Sequence, residues 1–221
     1  MRRDVVLFDF DGTLTESAPG ITRSVVFALD AVGAPALDDA TLLRFIGPPI
    51  RESFRVTAGL DAATVAAAAD AFVRYFPPPG GLFANSVYPR IPGLHEALRS
   101  DQRRLGVATT KPTGAGRAVL DHFALSGFFE TVCGALSDVE RTNKADIIAD
   151  ALLGLRVAAG PHVVMVGDRS HDIAGAHAAG IECIGAAWGY GARAELTDAG
   201  ADAIAADADE LASLLGVTIS G

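Results

Sequence analysis

The sequence predicts an α/β chain: a Rossmann-like parallel sheet forms the core, and an all-helical domain is inserted near its start. Three observations carry that expectation. Val5–Phe8, Leu105–Ala108 and His162–Val166 are short apolar runs of the kind buried on both faces of a sheet. From residue 92 onward such runs alternate with helix-spaced segments, which is the pattern of a parallel sheet covered on both sides. Residues 18–89 instead show helical spacing and no convincing buried strand.

The elements follow in order. The first strand, Val5–Phe8, stops at Asp9-Phe10-Asp11-Gly12-Thr13, where Gly12 suits a turn. Ile21, Val25, Ala28, Leu29 and Val32 have helix spacing. Asp61 can cap an Ala-rich helix whose Val65, Ala69, Phe72 and Phe76 share a face, and Pro77 to Gly81 stops it. Pro89 to Pro92 reads as the return hinge. The expected domains are therefore a core of residues 1–17 and 90–221 and a helical cap of residues 18–89.

Within the core, Leu94–Leu98 is helical, and Leu105–Ala108 is a strand ending at Thr109-Thr110-Lys111. Pro112 suits the first turn of the next helix, which runs to His122. A short strand falls near Thr131–Gly134. Asn143 can cap a helix from Lys144 to Leu153. The strand His162–Val166 ends at Gly167-Asp168, and a helix then runs to Ala179, with Gly180 as its stop. Ile181–Ala186 is a further strand, and Asp207–Leu215 a final edge helix.

Bulk properties narrow the function. Half the residues are apolar and the formal charge is −9. That balance argues against a nucleic-acid partner or an anionic membrane surface. It leaves an anionic small-molecule substrate open, because a bound divalent cation can reverse the local sign. No apolar run reaches 18 residues, and the N-terminus lacks a signal-peptide pattern, so the expected location is cytoplasmic. Cys133 and Cys183 lack metal or redox spacing and read as small buried hydrophobes. Nothing in the pattern sets an oligomeric state. Of the 18 basic residues only Lys111 and Lys144 are lysines, which makes them candidates for positions that need a compact ammonium.

The chemistry-bearing residues gather at strand ends. In open parallel sheets, ligands sit beyond the carboxyl ends of the strands, so Asp9/Asp11, Thr109/Thr110 and Asp168 should share one crevice. Asp9 and Asp11 fit a hard-cation site, a nucleophile with its general acid, or simply an Asp-rich turn. Asp168 and Asp172 lie where a helix N-terminus alone favours carboxylates, though the preceding strand aims Asp168 at the same crevice. Thr109 offers a hydroxyl to a phosphoryl oxygen, with amides at the next helix start as further donors. Lys144 opens a helix, where the dipole disfavours a cation, so it calls for an anionic partner. Lys111 could meet substrate or the insertion. His171 is either a local packing residue or a proton shuttle.

Taken in order, Asp9-Phe10-Asp11-Gly12-Thr13, Thr109, Lys144 and Gly167-Asp168-x-x-x-Asp172 resemble the four motifs of the haloacid dehalogenase-like hydrolase superfamily. Asp11-Gly-Thr-Leu-Thr-Glu-Ser, Phe45-Ile-Gly-Pro-Pro and Trp188-Gly-Tyr-Gly are similar to its phosphoglycolate phosphatase and 5′-nucleotidase-like branch. The resemblance implies a phosphatase acting on a small phosphorylated metabolite. Asp9 would be the nucleophile and Asp11 the general acid and base. Mg²⁺ would be held by Asp9, the Asp11 carbonyl and Asp168, with Asp172 in or near its second shell. Thr109, Thr110 and Lys144 would hold the phosphoryl group. Asp11 speaks for phosphate chemistry, since true dehalogenases lack an acid there. The same aspartyl-phosphate could serve a phosphotransferase or a phosphomutase, and a non-catalytic binding protein remains a third possibility. The stiff Phe45–Arg51 turn is the candidate cap loop facing the site, with Arg51 either on a substrate anion or in solvent.

Overall fold

The computed structural model describes residues 2–78, 80–136 and 143–220. Strand β1 (Val5–Phe8) leads through β2 (Thr15–Glu16) into four helices, α1 (Ala18–Ala31), α2 (Asp39–Leu43), α3 (Ile50–Val56) and α4 (Ala62–Tyr75). Strand β3 (Ser86–Val87) brings the chain back by pairing antiparallel with β2. Then come α5 (Ile91–Ser100), β4 (Arg104–Pro112), α6 (Thr113–His122), β5 (Thr131–Ala135), α7 (Lys144–Leu155), β6 (Val163–Gly167), α8 (Ser170–Ala178), β7 (Glu182–Ala186), α9 (Arg193–Asp198), β8 (Ala203–Ala205) and α10 (Ala208–Leu215). No helix among the described residues is long and apolar enough to cross a membrane.

The main sheet has six strands in the order β5-β4-β1-β6-β7-β8, all parallel. Alternation along β1 shows why its four residues are all apolar. Val6 and Phe8 join one buried cluster with Leu94, Leu98, Leu120 and Leu211, from α5, α6 and α10. Val5 and Leu7 join a second with Ile147, Ile148 and Ile173, from α7 and α8. Each cluster covers one face of the sheet, so both sides of β1 lie in hydrocarbon. Chain order reverses on either side of β1, with β4 and β5 to one side and β6 to β8 to the other. That reversal places the end of β1 at the switch point where α/β sheets open a crevice.

Helices α1–α4 pack around their own apolar cluster, which includes Val25, Leu29, Phe54 and Ala68. Asp61 accepts a hydrogen bond from the Thr64 amide at 3.0 Å, and Asn143 one from Ala145 at 2.9 Å. Both are the anticipated N-caps, each contributing about 1 kcal/mol. Four details differ from expectation. Pro112 is not in the first turn of α6. Its backbone is extended (φ −54°, ψ 134°), because β4 runs on through it to pair with Ala135. The segment 18–89 holds one short strand after all, β3, near its end. Helices α2, α3 and α9 and strands β2 and β8 were not anticipated. Cys133 is only half-buried, whereas Cys183 is fully buried, and both thiols are free. Pro79, part of the expected helix stop, lies outside the described residues.

Candidate active site

Asp9 is the first residue beyond β1 and is 1% exposed. Its amide donates to the Val166 carbonyl on β6 at 2.8 Å, which ties it to the neighbouring strand end. Lys144 Nζ stands 2.8 Å from Asp9 Oδ1 and 2.6 Å from Asp172 Oδ1. These are ion pairs without aligned hydrogen-bond geometry: Asp9 Oδ1, Asp172 Oδ1 and Lys144 Nζ are all buried and lack a directed partner. Lys144 opens α7 and so faces the unfavourable end of its dipole, as the sequence indicated; two carboxylates supply the compensation.

The other lysine does the matching service. Lys111 Nζ lies 2.9 Å from both oxygens of Asp11, with its side chain 3% exposed. The ammonium also sits 5.1 Å from the Phe76 ring centroid and 5.5 Å from that of Phe10. Each of the chain's two lysines is therefore buried against one aspartate of the Asp9-Phe10-Asp11 motif.

Asp168 follows β6. Its Oδ2 accepts from the Tyr190 amide at 2.7 Å, and its Oδ1 is 3.4 Å from Thr13 Oγ1. Gly12 makes this possible: a Cβ there would fall 2.1 Å from Asp168 Oδ2, and its φ of +86° suits glycine. Asp172 Oδ2 accepts from the Arg169 amide at 3.0 Å, which caps α8. Thr109, almost fully buried on β4, accepts from the Lys111 amide at 3.2 Å.

The charges explain each other. Burial pushes the Asp9 carboxyl above its usual range, against the pull of Lys144. Burial, then the charges of Asp172 and Asp9, push Asp168 up well beyond the ordinary value. Burial, the largest influence, would also raise Asp172, but Lys144, His171 and the Arg169 amide together outweigh it and the carboxyl ends below its usual range. For Lys144, burial is outweighed by Asp172 and Asp9, so it titrates above the normal lysine range. Three buried carboxylates against one ammonium leave two negative charges when all are ionised, which is the deficit a divalent cation would cancel. Among the described residues, Asp9, His171 and Asp172 offer ligand atoms within 4.8 Å of one another. Buried carboxylate oxygens without directed partners are the hard donors that Mg²⁺ prefers. Asp168 and Asp11 do not belong to that closest trio.

The Phe45–Arg51 turn does reach the site. Thr110 Oγ1 donates to the Gly47 carbonyl at 2.6 Å, and Arg169 donates to the Ile46 carbonyl at 2.5 Å. Gly47 (φ +104°) sits so close to His171 that a Cβ would come within 2.9 Å of that ring. Arg51 is placed elsewhere, 3.6 Å from Asp70 on α4. The Thr110 hydroxyl is engaged by this turn. His171 Nε2 is buried, without a directed hydrogen bond, 3.6 Å from Asp172 Oδ1. Sequence reasoning missed Tyr190, whose hydroxyl accepts from the Ser17 and Ala18 amides at 2.7 and 2.8 Å. It also missed Glu195, which accepts from Arg169 and Ser170. The Trp188-Gly-Tyr-Gly stretch was the available signal for Tyr190.

Residues 6–186 match the haloacid dehalogenase-like hydrolase family, a span that contains Asp9, Asp11, Thr109, Lys111, Lys144, Asp168 and Asp172. The chain belongs to the haloacid dehalogenase-like hydrolases. Within that family it stands with phosphoric monoester hydrolases. It is 41% identical over 196 residues to a 5′-nucleotidase of Pseudomonas aeruginosa, covering 89% of this chain and 88% of that protein. A phosphoglycolate phosphatase of Rhodospirillum rubrum is 34% identical, with 96% and 90% covered. The solved structure of a predicted phosphatase from Clostridium acetobutylicum superposes with a TM-score of 0.91 at 36% identity, covering 97% of this chain and 99% of that one. Another relative carries a different name. The tyrosine-protein kinase PtkA of Mycobacterium tuberculosis is 40% identical over 96% of this chain and 72% of its own length.

Proposed function

We propose that this chain hydrolyses a small-molecule phosphate monoester through an aspartyl-phosphate on Asp9, with Mg²⁺ as cofactor. The observation that carries the reading is the pairing of Asp9 with Lys144, and of Asp11 with Lys111, at the end of the central strand. A carboxylate attacking an anionic phosphoryl group needs positive charge fixed beside it, and here that charge is already in place.

In the first half-reaction a carboxylate oxygen of Asp9 bonds to phosphorus as the bond to the ester oxygen breaks, and Asp11 gives that oxygen its proton. In the second, Asp11 takes a proton from water, and the resulting oxygen bonds to phosphorus. The Asp9–phosphorus bond breaks, releasing inorganic phosphate and restoring both carboxyl groups. At rest Lys111 holds both oxygens of Asp11; an ester entering as its monoanion offers that ammonium a competing anion, frees Asp11 and brings the proton that Asp11 passes to the leaving oxygen. Thr109 and Lys144 orient the phosphoryl oxygens. Mg²⁺ would be held by Asp9, Asp168 and the Asp11 carbonyl, with Asp172 beside them, and would supply charge neutralisation. Residues 18–89 act as the cap, and the docked 45–50 turn excludes bulk water.

Phosphate release from p-nitrophenyl phosphate with Mg²⁺ tests the reading, with Asp9→Asn as the control. Clean enzyme that turns over no small phosphate ester would refute it. A second reading has a specific support, the 40% identity to a protein named a tyrosine kinase. In that case the phosphoryl group passes from Asp9 to a hydroxyl acceptor. Partition of trapped phospho-enzyme between water and a tyrosine peptide separates the two.

A further inference from the structure

Next to Asp11 a cavity of about 230 Å³ opens between the 45–50 turn, the end of α4 and the start of α6. Its walls are formed largely by Ile21, Phe45, Pro48, Phe72, Val73 and Phe76. Phe72 and Phe76 stack at 5.1 Å, with an angle of 15° between their planes. The only cation among its described lining residues is Lys111, and both oxygens of Asp11 already hold it. Arg51, the side chain the sequence offered for a second anion, is not part of the lining and stands on Asp70.

Resting on the phosphatase reading, we propose that the preferred substrate is a phosphate monoester with an uncharged aromatic or ring-sized apolar leaving group. The placement follows from Asp11. As the group that protonates the leaving oxygen, it must lie beside whatever that oxygen is attached to, and the space beside it is this cavity. An apolar cavity of about 150 Å³ accepts benzene, so 230 Å³ holds one ring and a short linker. A leaving group bearing a carboxylate, as in phosphoglycolate, would put its charge among phenylalanine rings beside Asp11 with no free cation to meet it. The aromatic walls and the Lys111 ammonium over Phe76 instead suit a flat, uncharged group.

The test compares 2-phenylethyl phosphate, ethyl phosphate and phosphoglycolate, all alkyl esters, at saturating Mg²⁺. The expected kcat/KM for the phenylethyl ester is about 50-fold or more above that for ethyl phosphate, with phosphoglycolate the poorest. Phe72→Ala should lower kcat/KM for the phenylethyl ester far more than for the ethyl ester. Val73→Arg, at a position half exposed on α4, should shift preference toward phosphoglycolate. Calorimetric binding of 2-phenylethylphosphonate, weakened in both variants, would show that the ring is captured before chemistry. If ethyl phosphate or phosphoglycolate is turned over as well as the phenylethyl ester, the substrate class is overturned while the phosphatase reading stands. If none of the three is turned over while p-nitrophenyl phosphate is, the substrate class falls alone; if p-nitrophenyl phosphate is not turned over either, the phosphatase reading falls and takes the substrate class with it.

Discussion

Replacing His95 with leucine should remove a pH dependence of stability that the wild-type core carries. His95 is fully buried on α5, its ring set edge-on to Phe8 at 5.1 Å and to Phe129 at 5.0 Å. Neither ring nitrogen has a hydrogen-bond partner among the described residues. Burial drives its pKa down from 6.5 to about 3. The folded protein therefore keeps the ring neutral where the unfolded chain would protonate it. The unfolded state binds the extra proton, so this stability is complete above about pH 6.5 and is lost as pH falls toward the folded value. At pH 4.5 the unfolded chain is favoured by a factor of about 100, or about 2.7 kcal/mol, relative to pH 8. His95→Leu keeps a similar volume, favours helix and leaves no unpaired nitrogens, so at pH 8 it should be neutral or more stable by about 1 kcal/mol. The assay is urea unfolding of both proteins at pH 8, 6.5, 5.5 and 4.5. The raised carboxyls of Asp9 and Asp168 act with the opposite sign, but they are common to both proteins and cancel in the difference. A wild-type-minus-variant difference that stays constant from pH 8 to 4.5 would refute the reasoning.

The remaining predictions concern the site. Lys144→Met strips the ammonium from between Asp9 and Asp172, so unfolding free energy should fall by about 3–5 kcal/mol and activity should vanish, read by denaturant melts and phosphate release. Mg²⁺ at about 100 times its Kd should raise the melting temperature of the wild type by roughly 5–10 °C, and by much less in Asp168→Asn, measured by scanning calorimetry. Gly12→Ala would drive a methyl into Asp168 at an unfavourable φ; about 2 kcal/mol or more of stability and about 100-fold in kcat/KM should go with it. Thr110→Val deletes the hydroxyl that holds the Gly47 carbonyl and should lower kcat/KM about fivefold, with Thr110→Ser restoring it.

Much of this was legible because it is written in local pattern. An apolar tetrad buried on two faces has few alternatives, so β1 is found to the residue. Asp9 and Asp168 immediately follow strands, and strand direction in a parallel sheet sends both to one edge. The rarity of lysine was a further signal, since Lys111 and Lys144 proved to be buried partners of Asp11 and Asp9. What escaped had weaker grammar. Strand β8 has three residues, Ala203–Ala205, too few to show alternation, and it is a strand only because β7 offers it an edge. Helices α2 and α3 have five and seven residues, under two turns, and are held by the cluster around Phe54 rather than by propensity. Tyr190 acts on Asp168 through its amide, a group that every residue but proline has, so its identity could not disclose the contact. The side chain of Arg51 depended on which of two anions lay nearer, a question of tertiary placement that Asp70 decides.

The fastening of residues 46 and 47 has an evolutionary corollary. Thr110 and Arg169 adjoin Thr109 and Asp168 in the chain, and both grip main-chain carbonyls of the turn rather than its side chains. Because any amino acid provides a carbonyl, the half-buried side chains at 48 and 50 are free to drift without loosening the latch, whereas Phe45 is fixed in the apolar cluster against Phe54. A lineage could thus retailor what the enzyme accepts while the catalytic carboxylates stay where they are, and swapping those two positions between related chains is a direct route to altered selectivity.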